Sequence, residues 1–101
     1  MAGEQKLQTK ILAWLKANNY YSIKTVVCSK AGVMDIVGCS PTGRFFGIEV
    51  KFGANKASKL QEWNIKEVQV RGGIALVAWS LTEVELALKQ PWLCPHCKGS
   101  L

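Results

Sequence analysis

The sequence predicts an α/β fold, a mixed central β-sheet flanked by helices with elements in the order α-β-β-β-α-β-α. Apolar residues recur at helical spacing in three stretches, β-branched runs lie between them, and Gly, Pro and Asn punctuate the joins. The strand–helix–strand stretch from Arg44 to Trp79 calls for two parallel strands joined by a right-handed crossover. The three earlier strands should form an antiparallel meander. Helices on the faces of such a sheet make an α/β sandwich.

From Glu4 to about Asn19, Leu7, Ile11, Trp14 and Leu15 repeat with a helical period, and Asn18-Asn19 supplies a polar stop. Tyr21 to Cys28 (YSIKTVVC) is β-branched and alternating, which reads as a strand. Ser29-Lys30-Ala31-Gly32 is a turn. Val33 to Cys39 and Arg44 to Phe52 are two more strands, joined by Ser40-Pro41-Thr42-Gly43. A second helix opens at Ser58, which has capping-box spacing to Gln61, and Leu60, Trp63, Glu67 and Val68 continue its pattern. Arg71-Gly72-Gly73 ends it. Ile74 to Trp79 is nearly all apolar and suits a sheet interior. Ser80 and Glu83 offer another capping box, opening a last helix that runs to about Gln90 before Pro91 breaks it.

At 101 residues the chain has room for one hydrophobic core, and 49% apolar residues exclude a disordered chain. We expect a domain over residues 1–91 and a short tail over 92–101. No apolar run approaches the ~20 residues of a membrane span. The start, MAGEQKLQTK, has no signal-peptide core, so the expected location is the cytoplasm and no membrane partner is expected. Thirteen Lys and Arg stand against seven Asp and Glu, a net charge of +6 that favours a polyanionic partner. A solvated lysine surface gives the same balance, so charge is supporting information and does not identify the partner.

The sole aspartate, Asp35, interrupts the apolar run VMDIV, where aspartate is disfavoured in a strand. Glu49 and Lys51 interrupt GIEVKF in the same way and, two residues apart, point to one face. The hairpin between them sets a register. Pro41 suits the first corner of a type I turn and Gly43 the following left-handed position, so Ser40 faces Arg44 and Asp35 falls opposite Glu49. Their Cβ atoms would lie ~5 Å apart, where like charges destabilise a pair. A shared Mg²⁺ or Mn²⁺ explains such a pair, with Lys51 free to stabilise a phosphoryl transition state or position water. A structural ion pair of Lys51 with one carboxylate, the other at a solvated strand end, explains it too. Glu4 lies one turn out from Leu7 on the apolar stripe of the first helix, near enough to approach the sheet edge by Asp35. Acidic residues are also favoured in a first helical turn by the backbone dipole alone.

These residues resemble the PD-(D/E)XK nuclease superfamily and, within it, the compact VRR-NUC (virus-type replication-repair nuclease) domains. The resemblance rests on Glu4, on Gly32-Val33-Met34-Asp35-Ile36 in place of G-x-P-D-hydrophobic, and on Glu49-Val50-Lys51 as E-x-K. Lys56-Ala57-Ser58-Lys59-Leu60-Gln61 follows as K-x-S-x-x-Q, and Gly72-Gly73 precedes the last apolar strand. Met34 departs from the usual proline, a backbone preference without chemistry. The resemblance implies a restriction-endonuclease-like fold. It makes Asp35, Glu49 and the Val50 carbonyl ligands for Mg²⁺ or Mn²⁺, Lys51 the catalytic lysine, Glu4 an auxiliary acid acting directly or through water, and Gln61 a residue orienting the site or the DNA. Lys56, Ser58, Lys59, Arg44 and Lys10 become candidate DNA contacts. It implies a homodimeric endonuclease acting on branched DNA such as a Holliday junction, in a bacterial or phage-infected cell.

Cys94-Pro95-His96-Cys97 has the spacing of one zinc knuckle, with His96 a weaker third donor, but a second C-x-x-C is absent. Cys94 and Cys97 either share a Zn²⁺ between subunits or belong to a tail held by Trp92. Cys28 and Cys39, on strands, read as buried small hydrophobes. Two other classes of function compete with the nuclease: a non-catalytic nucleic-acid-binding or assembly module of the same fold, and a zinc-tail interaction protein with structural strand acids.

Overall fold

The computed structural model describes residues 2–26 and 31–89. Its elements follow in the expected order: α1 (Ala2–Ala17), β1 (Tyr21–Lys24), β2 (Ile36–Cys39), β3 (Phe45–Val50), α2 (Lys59–Val70), β4 (Ile74–Ala78) and α3 (Leu81–Leu88). The strands form one sheet in the order β1-β2-β3-β4, antiparallel across the meander and parallel between β3 and β4. The polar stop of α1 works through Asn19, which takes a left-handed φ of 66° while the Tyr20 N–H donates to the Leu15 carbonyl.

Each face of the sheet has its own core. Ile11 and Leu15 of α1 and Val84 and Leu88 of α3 pack on Ile36, Phe46, Ile48, Val50 and Ala78. On the other face Ile65 of α2 packs on Met34 and Ala75, flanked by Val37, Val68 and Val77. Strand alternation explains the division, because Phe46, Ile48 and Val50 point to α1 and α3 while Gly47 and Glu49 point to α2. Burying each large apolar side chain of the first core contributes about 1.5–3 kcal/mol. Met34, where proline was expected, lies over Gly47: a Cβ there would stand 2.5 Å from the methionine sulfur. The methionine therefore fills the space that the glycine leaves open.

The hairpin forms as its sequence predicts. Gly43 has φ +88°, its N–H donates to the Ser40 carbonyl at 2.9 Å, and the Ser40 N–H donates to Arg44 at 2.8 Å. The pairing runs from Cys39 opposite Phe45 to Ile36 opposite Ile48, and one more step brings Asp35 opposite Glu49.

Three expectations need correction. β1 ends at Lys24, short of the expected run to Cys28, β2 begins at Ile36 instead of Val33 and β3 ends at Val50 instead of Phe52, so Asp35 and Lys51 flank the paired strands. α2 is rotated from its expected face: Asn64 and Ile65 are buried while Leu60 and Trp63 are exposed. Its orientation follows polar anchors at its start, where Gln61 reaches Glu49 and Asn64 reaches the Ala31 carbonyl. The box at α3 is half made. Ser80 Oγ accepts the Glu83 N–H, but the Glu83 carboxylate reaches past Ser80 to the Trp79 N–H.

Val27, Cys28, Ser29, Lys30 and everything from Gln90, including Pro91, Trp92, Cys94, His96 and Cys97, lie outside the described residues. Cys39 is a partly buried free thiol. Among the described residues no helix is long and apolar enough to cross a membrane.

Candidate active site

The antiparallel ladder would pair the Val50 N–H with the carbonyl of Met34. Instead the Asp35 carboxylate turns in, and its Oδ2 accepts that N–H at 2.9 Å. Thr25 holds the backbone in this bend. Its N–H donates to the Asp35 carbonyl at 2.8 Å and its hydroxyl to the Met34 carbonyl at 2.8 Å. The loop before Asp35 approaches α2 closely through Gly32, at φ +79°, where a Cβ would stand 2.7 Å from Leu60 Cγ.

Glu49, on the α2 face of the sheet, is 2% exposed. Gln61 Nε2 donates to its Oε2 at 2.9 Å, and Lys51 Nζ lies 3.4 Å from the same oxygen. Gln61 serves two ends at once, because its Oε1 also accepts the Ser58 N–H while Ser58 Oγ accepts the Gln61 N–H. The capping box thus fixes the side chain that steadies Glu49. The other carboxylate oxygen, Oε1, is buried with no hydrogen-bond partner. Burial pushes the Glu49 carboxyl up to about 7, repulsion from Asp35 adds to the rise, and Lys51 partly offsets it.

Asp35, Glu49, Lys51 and Gln61 therefore come together at one end of β3. Glu4 is not gathered with them, since among the described residues no three Asp, Glu, His or Cys side chains form a metal-holding group. Glu4 lies in the first turn of α1, the helix packed against Ile48 and Val50, so any part it takes in the site is not that of a direct third ligand. Arg44 is also set apart. It stands at the other end of β3, partly buried, with Nε donating to the Gly72 carbonyl at 2.8 Å, and burial lowers its pKa. Lys56 and Lys59 are exposed around the start of α2, next to the site, and Ser58 spends its hydroxyl on the helix cap. Lys10 lies on α1 and lines a separate cleft with Phe52 and Trp79.

Sequence reasoning did not find Thr25 as the clamp on Asp35. Its β-branched strand setting gives no sign that the hydroxyl would cross to the next strand.

The donor set suits a hard cation. Glu49 keeps Oε1 without a partner, Asp35 faces it as a second carboxylate, and in an extended strand the Val50 carbonyl points to the same side as the N–H that Asp35 holds. Mg²⁺ needs only one or two carboxylates when water fills its other positions.

No protein-family model and no curated protein matches the chain. Among solved structures a VRR_NUC domain superposes with a TM-score of 0.73 over 87% of this chain and 96% of that one, at 20% sequence identity. By this likeness the mixed sheet and its three helices have the fold of a VRR_NUC domain.

Proposed function

We propose that this chain is a metal-dependent endonuclease that hydrolyses DNA phosphodiester bonds. The observation that carries the reading is Glu49 Oε1, a buried and unpartnered carboxylate oxygen on a residue opposite Asp35 and ion-paired with Lys51. Leaving such an acceptor unsatisfied costs about 1–3 kcal/mol. A structural ion pair alone would account for Oε2 and leave Oε1 unexplained.

Asp35, Glu49 and the Val50 carbonyl would hold Mg²⁺ or Mn²⁺, with Glu4 acting through water. When bound, the ion supplies a water of lowered pKa and charge stabilisation for the phosphate. The chain's own groups do the positioning. Val50 N–H fixes Asp35 by Oδ2 and Gln61 fixes Glu49 by Oε2, which turns Glu49 Oε1 toward the cation. Lys51, 17% exposed, stands at the mouth of the site. From there its ammonium orients the attacking water or meets negative charge developing on the phosphoryl oxygens. The net charge of +6 favours a phosphate backbone, with Lys56, Lys59 and Lys10 as contacts. The finer parts of the proposal are selectivity for branched DNA and action as a homodimer, in which two sites related by a two-fold axis cut two strands.

The test is incubation with linear duplex, single-stranded and four-way-junction DNA in Mg²⁺ or EDTA. Cleavage in Mg²⁺ that Asp35→Ala and Glu49→Ala each abolish, with DNA binding kept, is the expected result. Metal-dependent cleavage surviving both substitutions would overturn the assignment. Binding without cleavage of any substrate would establish a non-catalytic module instead.

A further inference from the structure

One feature of the surface is unused by this chemistry. Gly3, Lys6, Leu7 and Lys10 on the first turns of α1 face Phe52 and Trp79 across a cleft of about 330 Å³. Phe52 and Trp79 are 51% and 41% exposed, so both present ring surface to a ligand in the cleft. Both rings are held. Phe52 lies directly over Gly3, where a Cβ would stand 2.6 Å from the ring, so the glycine lets the helix back the phenyl group. The turn after Phe52 passes through Gly53 at φ +65°, and the Asn55 N–H donates back to the Phe52 carbonyl at 3.3 Å. The Asn55 carbonyl then accepts Trp79 Nε1–H at 2.9 Å. A single short loop therefore ties the phenyl ring to the indole.

The cleft is joined to the candidate catalytic lysine through the main chain. Phe52 follows Lys51 in the chain, and the Lys51 N–H donates to Ala78, the residue before Trp79, at 3.0 Å. Lys6 and Lys10, one helical turn apart, are exposed and form no salt bridge with a described residue. Fixed aromatic faces beside unpaired ammonium groups are what single-stranded nucleic acid requires, base on ring and phosphate on lysine. A cleft of this size can seat one nucleotide.

We propose that the cleft formed by Lys6, Lys10, Phe52 and Trp79 binds an unpaired nucleotide next to the scissile phosphate, its base stacked on Phe52 and Trp79 and its phosphate against the lysines. The proposal rests on the nuclease reading for the position of the scissile bond. It makes the preferred substrate a strand that leaves its duplex beside the active site.

The experiment measures binding by fluorescence anisotropy in EDTA, so that no cleavage is needed. The probes are a labelled blunt duplex and the same duplex with a 5′ or a 3′ overhang. Wild-type protein should bind one overhang probe more tightly than the blunt one. Phe52→Leu and Trp79→Leu should each weaken that probe by about 5- to 150-fold more than the blunt duplex. Trp79→Phe, which keeps a stacking face, should retain most of the preference. Lys6→Gln with Lys10→Gln should lower the salt dependence of overhang binding by a log–log slope of about 1.4. These lysines are exposed, so this arm decides the matter even if a ring variant fails to fold. Equal losses on both probes, an unchanged salt slope, or no wild-type preference for an overhang would overturn the proposal. Ring-dependent overhang binding without cleavage in Mg²⁺ would remove the nuclease reading and leave the cleft. Cleavage that ignores the overhang and the rings would do the reverse.

Discussion

The Asp35 carboxylate accepts the backbone N–H of Val50 at 2.9 Å, where the strand ladder would otherwise place a main-chain carbonyl. One side chain thus completes the sheet and, on the proposed reading, also serves a cation. Sheet integrity and chemistry are joined at this residue, and substitutions can pull them apart.

Asp35→Asn keeps an acceptor for Val50 and loses the charge. It should melt within about 1 kcal/mol of wild type, because the neutral hydrogen bond it retains is worth about that much. Cleavage should nevertheless fall by at least about 100-fold, the scale on which losing one charge-stabilising group acts. Asp35→Ala also leaves the Val50 N–H unsatisfied and should cost a further 1–3 kcal/mol or so. Urea titrations beside cleavage rates check both; equal stability of the two variants would show that the hydrogen bond contributes nothing.

Glu49 makes stability and activity run in opposite directions with pH. Its folded pKa is raised from 4.5 to about 7, so the folded state holds a proton that the unfolded state has lost over that window. Metal-free stability from this group is therefore full below about pH 4.5 and declines as pH rises to about 7. The decline is at most about 3 kcal/mol at roughly 1.4 kcal/mol per pH unit. Metal binding needs the ionised form, so cleavage should rise through the same window. Glu49→Gln should be near neutral at pH 5, stabilise the metal-free fold by about 1–3 kcal/mol at pH 8, and abolish cleavage. In wild type Mg²⁺ should raise the melting temperature at pH 8 and much less at pH 6. A flat pH profile for the wild-type minus Glu49→Gln difference would contradict the assigned cause.

Gln61 separates capping from positioning. Gln61→Glu can still accept the Ser58 N–H and keep the box, but it sets a second carboxylate against Glu49. Stability at pH 5 should hold, while the midpoint of the cleavage–pH curve moves upward through like-charge repulsion. Gln61→Ala loses the box and the Glu49 contact together and should cost about 1 kcal/mol. It should also require more Mg²⁺ for half-maximal cleavage. An unchanged midpoint in Gln61→Glu would mean that Gln61 only caps the helix.

What the sequence disclosed and what it hid divide along a physical line. The Asp35–Glu49 juxtaposition was legible because a four-residue turn fixes it: Gly43 has one comfortable conformation, and every later pair follows by counting. The Ser58–Gln61 box was legible for the same local reason. How near Glu4 comes to Asp35 was not legible, because helical periodicity gives the buried stripe of α1 and not which face of the sheet it covers. Arg44 was put among the nearest candidate DNA contacts, and its bond to Gly72 was not legible because it depends on where the far end of α2 arrives. The hydrogen bond from Trp79 to Asn55 that links the indole to the Phe52 turn joins residues 24 apart and has no periodic signature.

Gly32 offers a way to move Asp35 without touching it. Its φ of +79° would cost an L-residue about 1–2 kcal/mol. An added Cβ would also meet Leu60 Cγ at 2.7 Å and Asn64 Nδ2 at 2.8 Å. Gly32→Ala therefore carries a conformational cost and a steric cost, and Leu60→Ala in the same chain removes part of the second only. The double variant should recover some stability relative to Gly32→Ala, by an amount a double-mutant cycle reads directly. Because the strained loop leads straight to Asp35, the remaining conformational cost should appear as displacement of that carboxylate, and cleavage should stay low after stability is partly restored. Full recovery of cleavage in the double variant would instead make contact with α2, and not backbone conformation, the factor that sets Asp35 in place.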